Sequence, residues 1–520
     1  MTTTSTARVR TDTRTTAHRG DSSRFRENTL PAIRSALAAG ADLVEVDVRV
    51  TSDGAVVVLH DPTLDRLWGI RAEVAATTLA EVRALGDADH RPPLLSEVLE
   101  LFAGSRTATL LIDMEDASPA EAAYRVVEGT SARVAWCGHL DGMRTIRALD
   151  GTARIWMPWA GVRPPTVAEI EALAPECVNM NVLTATREMV QEIHRLGCEV
   201  SVWTVDDEPT MRWAVAIGVD AVTTNQLVRL QHVLADPAEA PGPGELDLDT
   251  AMEVARELAQ WVIGFTSSGG PGLVSTKTDP ADLVTDIDVA VERHVREVIA
   301  WHFPDHGFVG EEMGGSAQPG VPCWYLDPVD GTTNLAHSIP WNAFSLALVV
   351  DGAPVVAVVA DPWRADLFEA MSGRGALLNG SPLRLGATQA VEDTDPLAGS
   401  VVSTELASHV PWPGMIEMLH ELGDRYCTMR IMGSGTLSLV GVAAGRGAGA
   451  VIGSFGAVDH LAAVLVVHEA GGVVLGSTGE HTLFPSVGGI MAAAPGAAEA
   501  LHAVWQSSVS AASARIEPAL

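Results

Sequence analysis

Through the first half of the chain, short runs of aliphatic and β-branched residues alternate with stretches whose apolar positions recur every three or four residues. Residues 43–50 (LVEVDVRV), 55–60, 108–114, 199–204 and 220–224 have the length and composition of strands. Residues 30–39 and 188–196 carry the spacing of amphipathic helices. Such strand–helix units, repeated over about 220 residues, predict a parallel sheet, open or closed into a barrel. Residues 236–246 (DPAEAPGPGEL) then concentrate Pro, Gly and Glu, break both periods and read as a linker. The second half opens with a long helical pattern at 246–265 and an extended acidic stretch. A helix over 287–303 follows, then alternating segments such as 343–350 and 354–360, which predict a mixed α/β domain. Residues 1–12, rich in Thr and Arg, read as a disordered leader, and the Ser/Ala-rich residues 508–520 as a frayed tail. The pattern thus divides the chain into a domain at 13–235, the linker, and a second domain at 247–507.

Composition narrows the class. At 520 residues the chain exceeds what one hydrophobic core serves, in keeping with two domains. Hydrophobic residues at 47% and charged residues at 19% describe a globular chain. No apolar run approaches the roughly 18 residues of a membrane span, so none is expected. The formal net charge of −32 argues against nonspecific binding to nucleic acid or to an anionic membrane. Five cysteines, scattered and odd in number, fit a reduced, cytoplasmic protein. Positive charge is carried almost entirely by Arg, and Lys277 is the single lysine.

Within this acidic chain, carboxylates fall in clusters beside His, Gly and Thr. In the first domain, His18-Arg19-Gly20 is followed by Glu27-Asn28-Thr29, then by Glu45 and Asp47 on one predicted strand, His60-Asp61, and Asp113 within LIDME. Two carboxylates two residues apart on a strand share a face, and in a barrel interior they repel unless a cation separates them. Oxygen ligands favour Mg²⁺, Ca²⁺ or Mn²⁺ over Zn²⁺. His18 and His60, read as ending neighbouring strands, could serve as acid and base. This combination, with Val202-Trp203-Thr204-Val205-Asp206 and the later GVDAVTTN at 218–225, resembles the glycerophosphodiester phosphodiesterase family from His18 to about Leu230. The resemblance implies a (β/α)8 TIM-type barrel with Glu45, Asp47 and Asp113 as metal ligands. It further implies His18 and His60 as the acid/base pair, Arg19 on the phosphate and Trp203 in the pocket wall. Where that family usually has a lysine two residues after the third carboxylate, this chain has Glu115. That exchange predicts weaker binding of anionic substrates unless Glu115 turns away or joins the metal shell.

The second domain carries the sharper pattern. Trp324-Tyr325-Leu326-Asp327-Pro328-Val329-Asp330-Gly331-Thr332-Thr333-Asn334 is preceded by DLVTDID at 282–288 and Gly310-Glu311-Glu312, and followed by Val458-Asp459-His460. Acids spaced by Gly and Thr suit a multi-metal centre in which carboxylates bridge cations and a threonine hydroxyl orients water. Backbone N–H groups at Gly331-Thr332 could meet a phosphate at a helix start. From about Leu246 to Val504 the chain resembles the inositol monophosphatase family. The resemblance implies an α/β layered sandwich holding two or three Mg²⁺ ions on Glu311, Asp327, Asp330, Asp459 and the Val329 carbonyl. Glu312 would hold a water or support the metal shell, and Thr332 with Asp288 would position the nucleophilic water. Gly331, Thr332 and Lys277 would bind phosphate, and the domain could form a homodimer. Two departures bear on substrate: Val458 stands where the family usually has Trp. Ile452 stands where inositol-cleaving members have a ring-contacting glutamate.

These readings combine into a bifunctional hydrolase of small phosphoesters, the barrel cleaving a glycerophosphodiester and the second domain an inositol phosphate-like monoester. The alternative is a phosphatase of another small monoester, such as histidinol phosphate or a sugar phosphate, with the barrel as a catalytically weak binding or regulatory module.

Overall fold

A computed structural model describes residues 13–86, 90–105, 107–161, 163–236, 246–268, 274–276, 283–385, 395–406 and 409–516. The chain divides into two compact units, one through Ala240 and one from Pro241.

The first unit is a nearly closed barrel of eight parallel strands: Arg14–Ala17, Leu43–Val50, Thr109–Met114, Val134–Gly138, Trp156–Trp159, Cys177–Asn181, Glu199–Trp203 and Ala221–Thr224. The last returns beside the first, with Arg14 opposite Ala221 and Ala17 opposite Thr224. Between Val134–Gly138 and Trp156–Trp159 the sheet is joined by the single parallel bridge of Trp136 to Ile155. Helices such as Leu30–Ala38 and Arg187–Arg195 lie between successive strands, each burying an apolar stripe against the sheet. Val56–Val58 is a strand, as its composition predicts, but not a barrel strand. It folds back antiparallel onto Leu43–Val50, Val48 opposite Val58, because Asp53-Gly54 makes a tight turn with Gly54 at φ +83°. His60 therefore follows a hairpin arm, and the expectation that it ends a barrel strand beside His18 is corrected.

The second unit stacks layers of helix and sheet. Its larger sheet has eight strands, centred on Cys323–Asp330, Ala343–Val350, Ala353–Asp361 and Asp366–Met371. The smaller has five, with Val401–Thr404 and Gly449–Ile452 side by side and parallel. Helix Leu248–Ser268 packs on the larger sheet, and Ala457–Glu469 packs on it as well. Gly435–Ala443 is buried at every residue, and Ala457–Glu469 is buried from His460 through Val467. A helix covered on all sides needs no polar face, which is why these two segments show no amphipathic period.

The C-terminal segment corrects a second expectation. Residues 508–516 are not frayed: helix Ala498–Ile516 runs through them. Val504, Trp505, Ser508 and Ala512 are buried, and Trp505 packs in one cluster with Met415, Met418 and Leu422 of helix Met415–Asp424. The Ser/Ala run supplies small side chains for close packing of the two helices. Trp505→Ala is expected to cost about 3–5 kcal/mol, the usual range for a buried aromatic truncated to Ala. Denaturant unfolding of the full chain, followed for the second unit's transition, measures this. A cost below about 1 kcal/mol would show that the helix end is not integral to the core.

Candidate active sites

In the barrel, the acids come from two adjacent strands. Glu45 and Asp47 share the inward face of Leu43–Val50, and Asp47 stands directly opposite Asp113. Burial, then Asp47 and Asp113, pushes the Glu45 carboxyl well above the usual carboxylate range. Burial and Asp47 push Asp113 to about 7. Arg19 offsets part of this charge: its Nε lies 3.1 Å from Asp47 Oδ2, and its backbone N–H donates to Glu45 Oε2 at 2.9 Å. Asn28 Nδ2 donates to the same Asp47 oxygen at 2.7 Å. Both Arg19 and Asn28 have left-handed backbones, φ +58° and +56°, a conformation that is uncommon for such residues and held here by those contacts. Gly20 between them must be glycine, because at φ +83° a Cβ would stand 2.7 Å from the Ala32 carbonyl carbon.

The two histidines are held differently. His18 Nδ1 is 2.9 Å from Asn225 Oδ1, while the Asn225 amide nitrogen donates to Asp206 Oδ2 at 2.7 Å. With Asn225 so oriented, His18 Nδ1 carries the proton in that bond, leaving Nε2 turned to the acids, 4.0 Å from Glu45 Oε2. Burial, then Arg19, lowers its pKa and favours the neutral ring. His60 lies between two carboxylates: Nδ1 is 2.8 Å from Asp61 Oδ1, and Nε2 is 2.7 Å from Glu115 Oε1. Glu115, half-exposed, also pairs with Arg49 Nη2 at 2.9 Å. Thus Glu115 does not turn away; it caps the outer nitrogen of His60. From Asp61 the ionic chain continues through Arg66 (2.6 Å) to Glu27 (2.7 Å) and on to Arg19 (2.9 Å). Trp203 ends its strand at the same rim, 41% exposed.

In the second unit, the ladder between Cys323–Asp330 and Ala343–Val350 shifts register between Asp327 and Asp330. The bulge lets the chain turn at Gly331 (φ +96°), where a Cβ would meet the Gly433 carbonyl oxygen at 2.8 Å. Helix Thr332–Ala336 follows at once. Glu311, Asp330, Gly331, Thr332 and Asp459 line one cavity of about 620 Å³. Asp327 is fully buried, and burial followed by Glu311, Asp330 and Asp459 drives its carboxyl well above the usual range. Asp459 is pushed to about 6, burial leading and His460 opposing. Asp330 Oδ2 accepts from Ser434 Oγ at 2.6 Å and from the Thr436 backbone N–H at 2.7 Å, at the start of helix Gly435–Ala443. Thr332 Oγ1 is 3.0 Å from both Asp288 Oδ1 and the Val329 carbonyl. Asp288 is itself completely buried, its other oxygen bonded by the Thr285 hydroxyl and backbone N–H. Glu312 is not among the residues lining the cavity; its backbone N–H donates to Glu292 Oε2 at 2.7 Å. Lys277 lies outside the described residues.

Among the described residues no three His, Cys, Asp or Glu groups stand as a finished metal cage. The donor chemistry nonetheless fits hard divalent cations: all oxygen, several acids together, and carboxyls raised by burial and then by neighbouring acids. Sequence reasoning missed four supports: the Asp206–Asn225 latch on His18, the Glu27–Arg66 link, the Ser434–Thr436 grip on Asp330, and Glu405. The last lines the same cavity and is pushed to about 7 by burial. Its one advance signal is its place directly after the β-branched run Val401–Thr404, where a strand ends.

Folds and sites together define a phosphoester hydrolase of two domains. Through residues 247–510 the chain belongs to the inositol monophosphatase family, whose model matches there, and residues 18–228 match the glycerophosphoryl diester phosphodiesterase family. The chain is 33% identical over 240 residues to an inositol-1-monophosphatase of Synechocystis sp., covering 46% of this chain and 82% of that protein. It is 37% identical over 251 residues to Nus factor SuhB of Pasteurella multocida, covering 48% and 91%. An inositol monophosphatase structure from Anabaena is 29% identical, covering 50% and 97%, with a TM-score of 0.43. Among the described residues no helix is long and apolar enough to cross a membrane.

Asn225→Ala removes the acceptor that fixes the His18 Nδ1 proton. The expected outcome is a shift of the ring toward mixed tautomers, read from its ¹⁵N chemical shifts. An unchanged tautomer would refute the latch.

Proposed function

We propose that the chain is a bifunctional, divalent-metal-dependent hydrolase: the barrel cleaves a glycerophosphodiester, and the second unit releases phosphate from a small, inositol phosphate-like monoester. One observation carries the reading. In each unit, carboxylates from separate elements converge on a buried acid, Asp47 and Asp113 on Glu45, and Glu311, Asp330 and Asp459 on Asp327. Glu45, Asp47 and Asp113 would hold one Mg²⁺, Ca²⁺ or Mn²⁺. Glu311, Asp327, Asp330, Asp459 and the Val329 carbonyl would hold two or three Mg²⁺. Bound cations supply charge neutralisation and a more acidic water.

In the barrel, His18 Nε2 is the base, because its partner nitrogen is tied to Asn225. His60 is the acid that protonates the departing alcohol oxygen, and Arg19 binds the phosphoryl oxygens between them. Trp203 closes the pocket wall. In the second unit, Thr332 accepts a hydrogen bond from the attacking water while its own proton points to Asp288. The water oxygen bonds to phosphorus, the bond to the alcohol oxygen breaks, and that oxygen takes up a proton. Gly331 and Thr332 N–H groups, with Lys277, bind the phosphate, and Glu312 holds a water. Glycerophosphoinositol suits the pair, since cleavage on either side of its phosphorus leaves a monoester for the second site.

A second reading, favoured by the Glu115 contact on His60 Nε2, keeps the phosphatase and makes the barrel a weak or regulatory module. Glu115→Gln removes a half-exposed charge worth up to about 1 kcal/mol, and a two- to fivefold fall in KM for the diester is expected. No diesterase activity in either form would establish the second reading.

Asp47→Ala and Asp330→Ala, assayed separately with glycerophosphoinositol and inositol 1-phosphate in Mg²⁺, test the main reading. Asp47→Ala should abolish diester cleavage alone, and Asp330→Ala phosphate release from both. Each loss should exceed about 100-fold, since even outer-shell partners of a metal are worth 10–100-fold. Mg²⁺ should also raise the unfolding midpoint of the wild type, because it binds the folded state alone, and Asp330→Ala should blunt that rise. A wild type that Mg²⁺ neither activates nor stabilises would sink the proposal.

A further inference from the structure

The phosphatase cavity is lined both by acids, Asp330 and Asp459 among them, and by the apolar side chains of Leu406, Trp412, Ile431 and Ile452. The acids suit the phosphate with its cations, which leaves the apolar lining for the alcohol half of the substrate. Within that apolar wall one carboxylate, Glu405, opens onto the cavity. Strand Val401–Thr404 runs parallel to Gly449–Ile452 with Thr404 opposite Val451, so Glu405 and Ile452 are next-door neighbours where the two strands end. The carboxylate absent at 452 thus stands one strand over.

Glu405 is also held still. Oε2 accepts the Gly433 backbone N–H at 2.7 Å, and Oε1 accepts the Ser438 hydroxyl at 2.6 Å. Gly433 and Ser438 flank Ser434 and Thr436, which grip Asp330. One short stretch of chain therefore fixes Asp330 and Glu405 relative to each other. Each Glu405 oxygen keeps a further lone pair, and a carboxylate pinned by two donors loses little freedom when it accepts another.

We propose that Glu405 is the specificity-determining residue of the phosphatase site, accepting hydrogen bonds from hydroxyl groups on the alcohol half of the monoester. This rests on the phosphatase reading above. The cavity then selects polyhydroxyl alcohols that also have an apolar face for Ile452 and its neighbours, over alcohols with no hydroxyl to offer. A hydrogen bond to a charged group contributes enough to make this a 10- to 100-fold preference per well-placed hydroxyl, by order of magnitude.

The test uses the full chain with Mg²⁺ and two monoesters, inositol 1-phosphate and butyl phosphate, which lacks further hydroxyls. For Glu405→Ala, the ratio of kcat/KM for the polyol ester to that for the butyl ester should fall about 10- to 100-fold, mostly through KM. Glu405→Gln, which keeps the shape and one acceptor oxygen, should fall less. Adding Ile452→Glu to Glu405→Ala should restore part of the ratio. If Glu405→Ala and Glu405→Gln slow both esters equally, Glu405 only braces the helix start and the proposal is overturned. If wild type hydrolyses butyl phosphate and shows no preference for the polyol ester, the proposal also fails while the phosphatase reading stands. Wild type inert on both esters would overturn the two together.

Discussion

The burial of carboxylates close to one another governs both halves of this protein. Each acid would rather be solvated or neutral, and burial first, then the neighbouring acids, pushes the carboxyls of Glu45, Asp113, Asp327 and Asp459 upward. The two scaffolds impose the crowding by different means. In the barrel it is register: Asp47 and Asp113 face each other across adjacent parallel strands, and the interior admits no retreat. In the layered unit it is a bulge, which advances Asp330 and lets Gly331 start a helix whose hydroxyl reaches back to Asp288.

Around each cluster, hydrogen bonds decide which atoms remain available. His18 has one nitrogen committed and one presented, because Asp206 dictates which way Asn225 faces. His60 has both nitrogens engaged, one of them by an acid that also holds Arg49. The chain from Arg49 through Glu115, His60, Asp61, Arg66 and Glu27 to Arg19 and Asp47 sets an acid beside a basic side chain at every step. Networks of this kind orient their members more than they stabilise the fold, since half-exposed pairs contribute little individually. A change at Arg66 would therefore reach Arg19 through Glu27. In the second unit the start of helix Gly435–Ala443 has the same office, gripping Asp330 on one side and Glu405 on the other.

Much of this was legible in the residues. The β-branched residues alternating with Glu45, Asp47 and Arg49 located the strand Leu43–Val50, and a nearly unbroken apolar run located Ala343–Val350. The acids of both sites stood out because Asp and Glu beside Gly, His and Thr at strand ends have few purely structural uses. Two local readings failed for reasons of context. Residues 508–516 have the composition of a frayed end, but Trp505 and Ala512 find partners on another helix. Residues 55–60 have the composition of a barrel strand, but the turn before them allows only antiparallel pairing.

The sequence by itself determined the two domain types and the placement of many strands and helices, and it singled out the carboxylates and histidines that the fold brings together. Those follow from periodicity and residue chemistry, which are local. Tertiary structure decided what those residues meet: that Glu115 lies on His60, that Asn225 fixes the His18 proton, and that Glu405 stands beside Ile452 in the lining of a cavity. Each pairing joins segments many residues apart, and only the closed barrel and the stacked sheets bring them within hydrogen-bond reach.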